Sequence, residues 1–445
     1  MKISVIGTGY VGLSTGVCLA EIGHTVTCID IDQKKIQHLQ KGIPPFYEPG
    51  MEEMIIHNLT EKRLFFSSSH RDGVAGADIA IIAVGTPQKE DGSCNLAFLE
   101  EAAINIAPFL EKNSIIVIKS TVPIGTNETI QKLIESRFQK KLQIVSNPEF
   151  LRQGSAIFDT LHPDRIVIGS ESKDASEKIA AMYLPLNAPI LTTSIRSAEM
   201  IKYASNAFLA TKISYINYIS NLCEQVGADV EAVAKGMGTD KRISPAFLQA
   251  GIGYGGSCFP KDVKALLAIS EENGVNSGLL QEAAAINEHQ QTILINKALQ
   301  RFQTLKGKRF ALLGLSFKPE TDDMREAPSI PMAKQLAELG ANVIAYDPKA
   351  IHNAKKILGS TIQYTDSIDD AVLQADAIFI VTEWNEIKNM DIGTLLKTTR
   401  SPIVFDGRNC FDEKRLKSCD SIEYYSIGRP VLLINQPKNQ QSSLF

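Results

Sequence analysis

No stretch of the 445-residue chain approaches the ~20 consecutive apolar residues needed to cross a bilayer. The chain opens on a strand-like run, Lys2–Ile6, without the long apolar stretch of a signal peptide, so a cytoplasmic protein is expected. Basic residues are not in excess. Lys and Arg number 46 against 50 Asp and Glu, for a net charge of -4, which leaves no basic stripe for nucleic acid. Neither nucleic acid nor membrane is expected as a partner. The seven cysteines (18, 28, 94, 223, 258, 410 and 419) are scattered, with no CxxC pair and no Cys/His cluster. That pattern gives no reason to expect a metal, and it suits reduced cytosolic thiols. A hydrophobic content of 44% supports a sizeable core. The length accommodates two to three domains at roughly 150 residues each.

The first residues read strand, glycine turn, helix: Ile3–Ile6, then Gly7-Thr-Gly9-Tyr-Val-Gly12, then a helical stretch through Ile22. A second strand, Thr25–Asp30, ends in an acid. In this order Gly7 permits the tight turn, Gly9 lets backbone approach a pyrophosphate, and Gly12 lets helix and strand pack closely. The helix N-terminus offers N–H groups to the phosphates. Asp30 suits a free ribose 2′-hydroxyl and repels a 2′-phosphate, so NAD is expected rather than NADP. Further apolar runs at 78–84, 114–118 and 143–145 fit a parallel sheet covered on both faces. Gly85-Thr86-Pro87 and Ser120-Thr121-Val122-Pro123 follow two of them, where ligands collect in such sheets. Both threonines are equally readable as turn residues.

The strand pattern recurs near the C-terminus. Lys308–Gly314 echoes the opening strand, Ala341–Asp347 the strand ending in Asp30, and Ala375–Thr382 the run at 77–85. The second and third glycines are missing after Gly314, which suits a nucleotide other than a dinucleotide. Between the halves strand signals vanish, and Ser197–Gln225 reads as one long helix with Ser197 as N-cap and Gly227 as stop. The expected fold is α/β: two Rossmann-like, doubly wound parallel-sheet domains (1–195 and 301–435) joined by a helical segment (196–300), with a polar tail at 436–445. The long helix is apolar on more than one face, which points to burial or to a homodimer.

Cys258 lies in Gly253-Tyr-Gly-Gly-Ser-Cys-Phe-Pro-Lys-Asp262. The run reads as a buried thiol in a glycine turn, or as a nucleophile beside the Lys261 cation, which favours thiolate. Lys202 and Asn206, four apart on the helix, share a face and suit hydrogen bonding to an oxyanion. Solvated surface residues would show the same spacing. Glu149, in Asn147-Pro-Glu-Phe-Leu-Arg-Gln153, reads as an acid/base group or as a loop acid. A nicotinamide site with a reactive thiol has a specific meaning. The thiolate traps an aldehyde as a thiohemiacetal that yields a second hydride and becomes a thioester. One site then takes an alcohol to an acid with two NAD⁺.

These residues resemble the UDP-glucose/GDP-mannose dehydrogenase family along nearly the whole chain, most specifically at Asn147–Leu151, Lys202–Asn206 and Gly255–Asp262. The resemblance implies NAD-dependent four-electron oxidation of UDP-glucose at C6 to UDP-glucuronate. Cys258 would be the nucleophile and Lys202 and Asn206 the oxyanion donors. Asp262 with Thr121 would handle water or a proton, and Glu149 would assist hydrolysis. The base of the first oxidation is not assigned by any motif. The family pattern puts Gly7, Tyr10, Val11, Asp30, Lys35, Thr86, Thr121, Gln153, Lys261 and Arg325 around NAD. It puts Glu149, Phe150, Leu151, Arg152, Lys202, Asn206, Phe247, Leu248, Gln249, Ala250, Gly251, Gly255, Phe317, Lys318 and Arg408 around the UDP-sugar. Arg242 matches an arginine that reaches a neighbouring subunit's site. Many relatives carry Glu at position 153. Gln153 cannot hold charge, so no proton-transfer role is expected of it. Phe259-Pro-Lys261 resembles the UDP-glucose branch; GDP-mannose and UDP-N-acetylhexosamine oxidation are the alternatives with the same chemistry, and a non-catalytic NAD-binding regulator is the alternative without it.

Overall fold

The computed structural model describes residues 1–435; the expected polar tail at 436–445 lies outside them. The chain forms two units, one of residues 1–205 with 264–275, the other of 206–263 with 276 onward.

The first unit is built on an eight-stranded sheet. Its strands are β1 (Lys2–Ile6), β2 (Thr25–Ile29), β3 (Leu64–Ser67), β4 (Ile79–Ile82), β5 (Ile115–Ile118), β6 (Gln143–Ser146), β7 (Ile166–Gly169) and β8 (Ile190–Thr193). They lie in the order β3-β2-β1-β4-β5-β6-β7-β8. The first six places follow the dinucleotide-fold order, which reverses between β1 and β4. There Ile3 pairs with Val26 on one side and Ile79 on the other, all parallel. The continuous apolar runs follow from burial on both faces: Ile3, Val5, Val26, Ile81, Ile116 and Val117 are fully buried. The sheet is not wholly parallel, because β7 runs antiparallel to β6.

The second unit repeats the plan with β9 (Arg309–Leu313), β10 (Asn342–Tyr346), β11 (Gln363–Thr365), β12 (Ala377–Ile380), β13 (Ile403–Asp406), β14 (Ile422–Tyr425) and β15 (Leu432–Ile434). The order is β11-β10-β9-β12-β13-β14-β15, with β15 antiparallel. A stacked series of rings, Phe379 on Phe405 on Tyr425, fills part of its core.

Between β8 and β9 the described chain is helical. The longest helix, Ile195–Val226, has 32 residues. It begins two residues before the expected Ser197. Ser194 is the cap: its hydroxyl accepts the Ser197 N–H and its carbonyl the Ala198 N–H. Ile195 can therefore join the helix while buried in the core. Gly227 at φ +73° ends it, and Ala228 N–H closes back on the Cys223 carbonyl. Among the described residues no helix is long and apolar enough to cross a membrane.

Candidate active site

The glycine turn sits where the first sheet's strand order reverses. Gly7 has φ +99°, and a Cβ there would lie 2.7 Å from the Ala83 carbonyl at the end of β4. A Cβ at Gly12 would lie 2.0 Å from the Gly7 carbonyl, so helix and turn meet at a distance only glycine allows. At Gly9 a Cβ meets nothing within 4 Å. The Tyr10–Glu21 helix begins there without a side-chain cap or a first-turn acid, so its dipole is not offset by the chain's own negative charge in that turn. Val11 follows in that first turn, and Tyr10 stacks on Phe46 with centroids 3.8 Å apart.

Asp30, at the end of β2, accepts from the Thr8 N–H (3.0 Å), the Thr8 hydroxyl (2.6 Å) and Lys35 Nζ (2.9 Å). Burial pushes its carboxyl up, but the Thr8 hydroxyl, Lys35 and two backbone N–H groups outweigh it and hold Asp30 below the ordinary carboxylate range. Beyond β4, the Thr86 hydroxyl donates to the Thr121 carbonyl at 2.9 Å, so these two loops meet. The Thr121 loop is anchored by Glu199. That buried carboxylate accepts from Gly125 N (2.6 Å), Asn127 N (3.0 Å) and Asn127 Nδ2 (2.6 Å), and so caps the Thr126–Phe138 helix from another helix.

One turn beyond Glu199, Lys202 Nζ meets Glu149 Oε1 at 2.9 Å; both side chains are more than nine-tenths buried. The Leu151 N–H secures the other Glu149 oxygen at 2.7 Å. The Phe150 ring takes the Arg165 guanidinium at 3.7 Å and the Lys202 ammonium at 5.4 Å, giving Arg165 a definite neighbour. Arg152 clasps Asp159 and points to the surface. Gln153 is buried, and the neighbouring Gly154 and Ala156 N–H groups both donate to Glu48 at 2.7 Å.

In the second unit the Cys258 run ends at a helix, Phe259–Glu272. The Cys258 carbonyl accepts the Asp262 N–H, the first bond of that helix, so the thiol stands at a helix N-terminus. Cys258 and Cys410 are half-buried; the other five cysteines are buried. Burial pushes the Cys18 and Cys28 thiols up to about 12 and also raises Cys223, Cys410 and Cys419. Asp262 is buried, accepts from Asn206 Nδ2 at 2.6 Å and faces Lys261 Nζ at 2.8 Å.

The expected sugar-nucleotide residues of this unit converge on the same run. A Cβ at Gly251 would lie 2.9 Å from the Gly407 carbonyl and 3.4 Å from an Arg408 nitrogen. Arg408 donates to the carbonyls of Gly253 (3.1 Å) and Val381 (2.8 Å). Phe317 lies against Gly256, where a Cβ would be 2.7 Å from the ring; at Gly255 one would be 2.1 Å from the Glu326 carbonyl. Lys318 lies 5.7 Å from the Phe317 ring. Phe247 takes a left-handed φ of +64°, with its ring 6.1 Å from Phe259. After it, Leu248 and Ala250 are buried and Gln249 is exposed. Arg325 chelates Asp323, and Arg242 chelates Asp240 with its side chain almost fully exposed. Asn217, Asn287, Glu199 and Glu48 carried no sequence signal, since a buried polar residue on a helix or in a loop looks like any other.

The second unit's turn differs from the first. Gly314 has φ +92°, like Gly7, but the Asp347 carboxylate takes the N–H groups of both Leu315 (2.7 Å) and Ser316 (3.0 Å), along with the Trp384 indole (3.1 Å). Its anion-binding N–H groups are already used by the chain's own acid.

A Rossmann unit with an open glycine turn, and a second unit presenting a helix-end thiol beside a nucleotide fold, define a nucleotide-dependent dehydrogenase class. The chain belongs to the UDP-glucose/GDP-mannose dehydrogenase family. Residues 1–187 match its NAD binding domain, 196–289 its central domain and 311–413 its UDP binding domain. It is 52% identical to the UDP-glucose 6-dehydrogenase YwqF of Bacillus subtilis (97% of this chain, 99% of the relative). It is 42% identical to the UDP-glucose 6-dehydrogenase of Rhizobium meliloti (97% and 100%). The solved UDP-glucose dehydrogenase of Pyrobaculum islandicum superposes with TM-score 0.89 at 36% identity (96% and 98%). The open turn at Gly9, the uncapped helix and the Asp30 carboxylate fit the NAD that this family uses.

Proposed function

We propose that the protein oxidises UDP-glucose at C6 to UDP-glucuronate, reducing two NAD⁺ per turnover. The observation carrying this reading is the position of Cys258. It is a half-buried thiol at a helix N-terminus, where the helix dipole favours negative sulfur, in a chain where burial pushes the Cys18 and Cys28 thiols towards inertness. NAD held by Gly7, Gly9, Tyr10, Val11, Gly12, Asp30 and Lys35 supplies the hydride acceptor. The alcohol first loses a hydride and a proton to become an aldehyde. Cys258 sulfur then bonds to C6, and the resulting thiohemiacetal loses a second hydride and proton to become a thioester. Water displaces the sulfur, releasing the carboxylic acid and restoring the thiol. Lys202 and Asn206 donate to the oxygen on C6 as it gains charge. Asp262, with Thr121, holds water or a proton, and Glu149 serves hydrolysis.

Residues 1–195 form the cofactor part of this reading, 196–300 the helical part and 301–435 the UDP-sugar part, in a cytoplasmic homodimer. The dimer is supported by the long helix. Phe208, Tyr215, Tyr218, Leu222 and Val226 are all exposed, and their spacing sets them on one face. Arg242, exposed but held on Asp240 within its own chain, serves the neighbouring subunit.

NADH yield from a panel of sugar nucleotides tests the reading. Two NADH per UDP-glucose are expected, with turnover abolished in Cys258→Ala. One NADH with a released aldehyde, or a marked preference for GDP-mannose or a UDP-N-acetylhexosamine, would overturn it.

A further inference from the structure

We infer that Asn287 is a positioning residue for the reaction, holding the loop that presents Cys258 from four residues upstream; this rests on the reading of Cys258 as nucleophile. Asn287 lies on the Gly278–Gln290 helix and is 6% exposed. Its Oδ1 accepts the Tyr254 N–H at 2.8 Å, and its Nδ2 donates to the Tyr254 carbonyl at 3.1 Å. The carboxamide thus pairs with one residue's backbone as a neighbouring strand would. The two bonds together set its orientation, since only one placement of O and N satisfies both. Gly253 makes the approach possible, because a Cβ there would lie 2.8 Å from Asn287 Oδ1.

The rest of the loop is tied down in the same manner. Gly251 N–H goes to Asn217 Oδ1 (2.9 Å), Ile252 N–H to the Gly407 carbonyl (3.1 Å) and Gly256 N–H to the Arg325 carbonyl (2.9 Å). Of these anchors, Asn287 grips both the donor and the acceptor of a single loop residue with its side chain. A loop so rich in glycine has no conformational preference of its own to hold a nucleophile still. Reaction at a fixed sulfur needs placement within about half an ångström, and a displacement of about 1 Å can cost on the order of a hundredfold in rate.

Asn287→Ala removes both bonds. Asn287→Asp keeps the shape and the acceptor, but as a carboxylate it cannot donate to the Tyr254 carbonyl. Protonation gives the acid one donor and one acceptor, like the amide. The expected result for Asn287→Ala is a kcat at least tenfold lower, with the KM for NAD⁺ within twofold and the folded fraction by circular dichroism unchanged. For Asn287→Asp, kcat relative to the wild type should recover as pH falls from 8 to 6. A merely structural residue would not produce that profile. Alkylation of Cys258 by iodoacetamide, read by peptide mass spectrometry, should slow severalfold at pH 7 in Asn287→Ala as the sulfur leaves the helix N-terminus. Folded variants with kcat within twofold of wild type at every pH, a kcat loss matching the loss of folded protein, or unchanged alkylation would each overturn the inference. If the wild type reduces no NAD⁺ with any sugar nucleotide, the reading of Cys258 falls instead. The alkylation rate, which needs no turnover, then decides whether Asn287 places the sulfur.

Discussion

The Lys202–Glu149 pair sets the terms at the residue scale. Two opposite charges, each more than nine-tenths buried, are held 2.9 Å apart. Removing one partner strands the other's charge away from water, at a cost of about 3–5 kcal/mol. Lys202→Met should therefore destabilise the protein by about that much, and adding Glu149→Gln should recover most of the loss while activity stays absent. Urea denaturation of the single and double variants checks this, and simply additive losses would contradict it. Residues sharing one short segment were legible in the sequence: Lys202 with Asn206 by helical spacing, and Cys258 with its glycines by adjacency. Their partners were not. Glu149 lies 53 residues from Lys202 and Asp262 lies 56 from Asn206, pairings that only the tertiary fold determines.

At the scale of elements, Glu199 joins the long helix to the start of the Thr126–Phe138 helix, yet burial raises its carboxyl above the ordinary value of 4.5 despite three N–H donors. A raised carboxyl binds its proton more tightly folded than unfolded. Its stabilising contribution is complete below pH 4.5 and is lost as pH rises through the raised value. In Glu199→Gln that loss disappears, so wild type should fall in stability relative to the variant as pH rises from 4.5 towards neutrality. Parallel denaturation curves across that range measure the difference, and a constant gap would rule the argument out. The central strands of both sheets were visible as apolar runs because burial on both faces leaves no polar alternation. The reversal of β7 and the addition of β15 were not visible, because direction in a sheet leaves no mark on a four-residue strand. The start of the long helix was misplaced by two residues because Ser194 and Ser197 are equally good caps on paper. Only the packing of Ile195 separates them.

For the whole molecule, the exposed stripe from Phe208 to Val226 and the exposed Arg242 lead to a mixing experiment. Cys258→Ala and Arg242→Ala proteins should each be inactive, or nearly so. If Arg242 serves its neighbour, subunit exchange between them should restore activity to about half of the sites in mixed dimers, because one site then has both groups. Absence of any recovery after exchange, confirmed by analytical ultracentrifugation, would place Arg242 in its own subunit's chemistry or in none.

The two halves of the chain carry the same turn and the same acid, and they part at the second N–H of that turn. Asp30 takes the Thr8 N–H and leaves the surroundings of Gly9 open, whereas Asp347 takes the N–H groups of both Leu315 and Ser316. The duplicated architecture has in effect plugged one of its two copies with its own side chain. Its consequence is one of stoichiometry. A calorimetric titration with NAD⁺ should saturate at one molecule per chain, although the chain contains the fold for two.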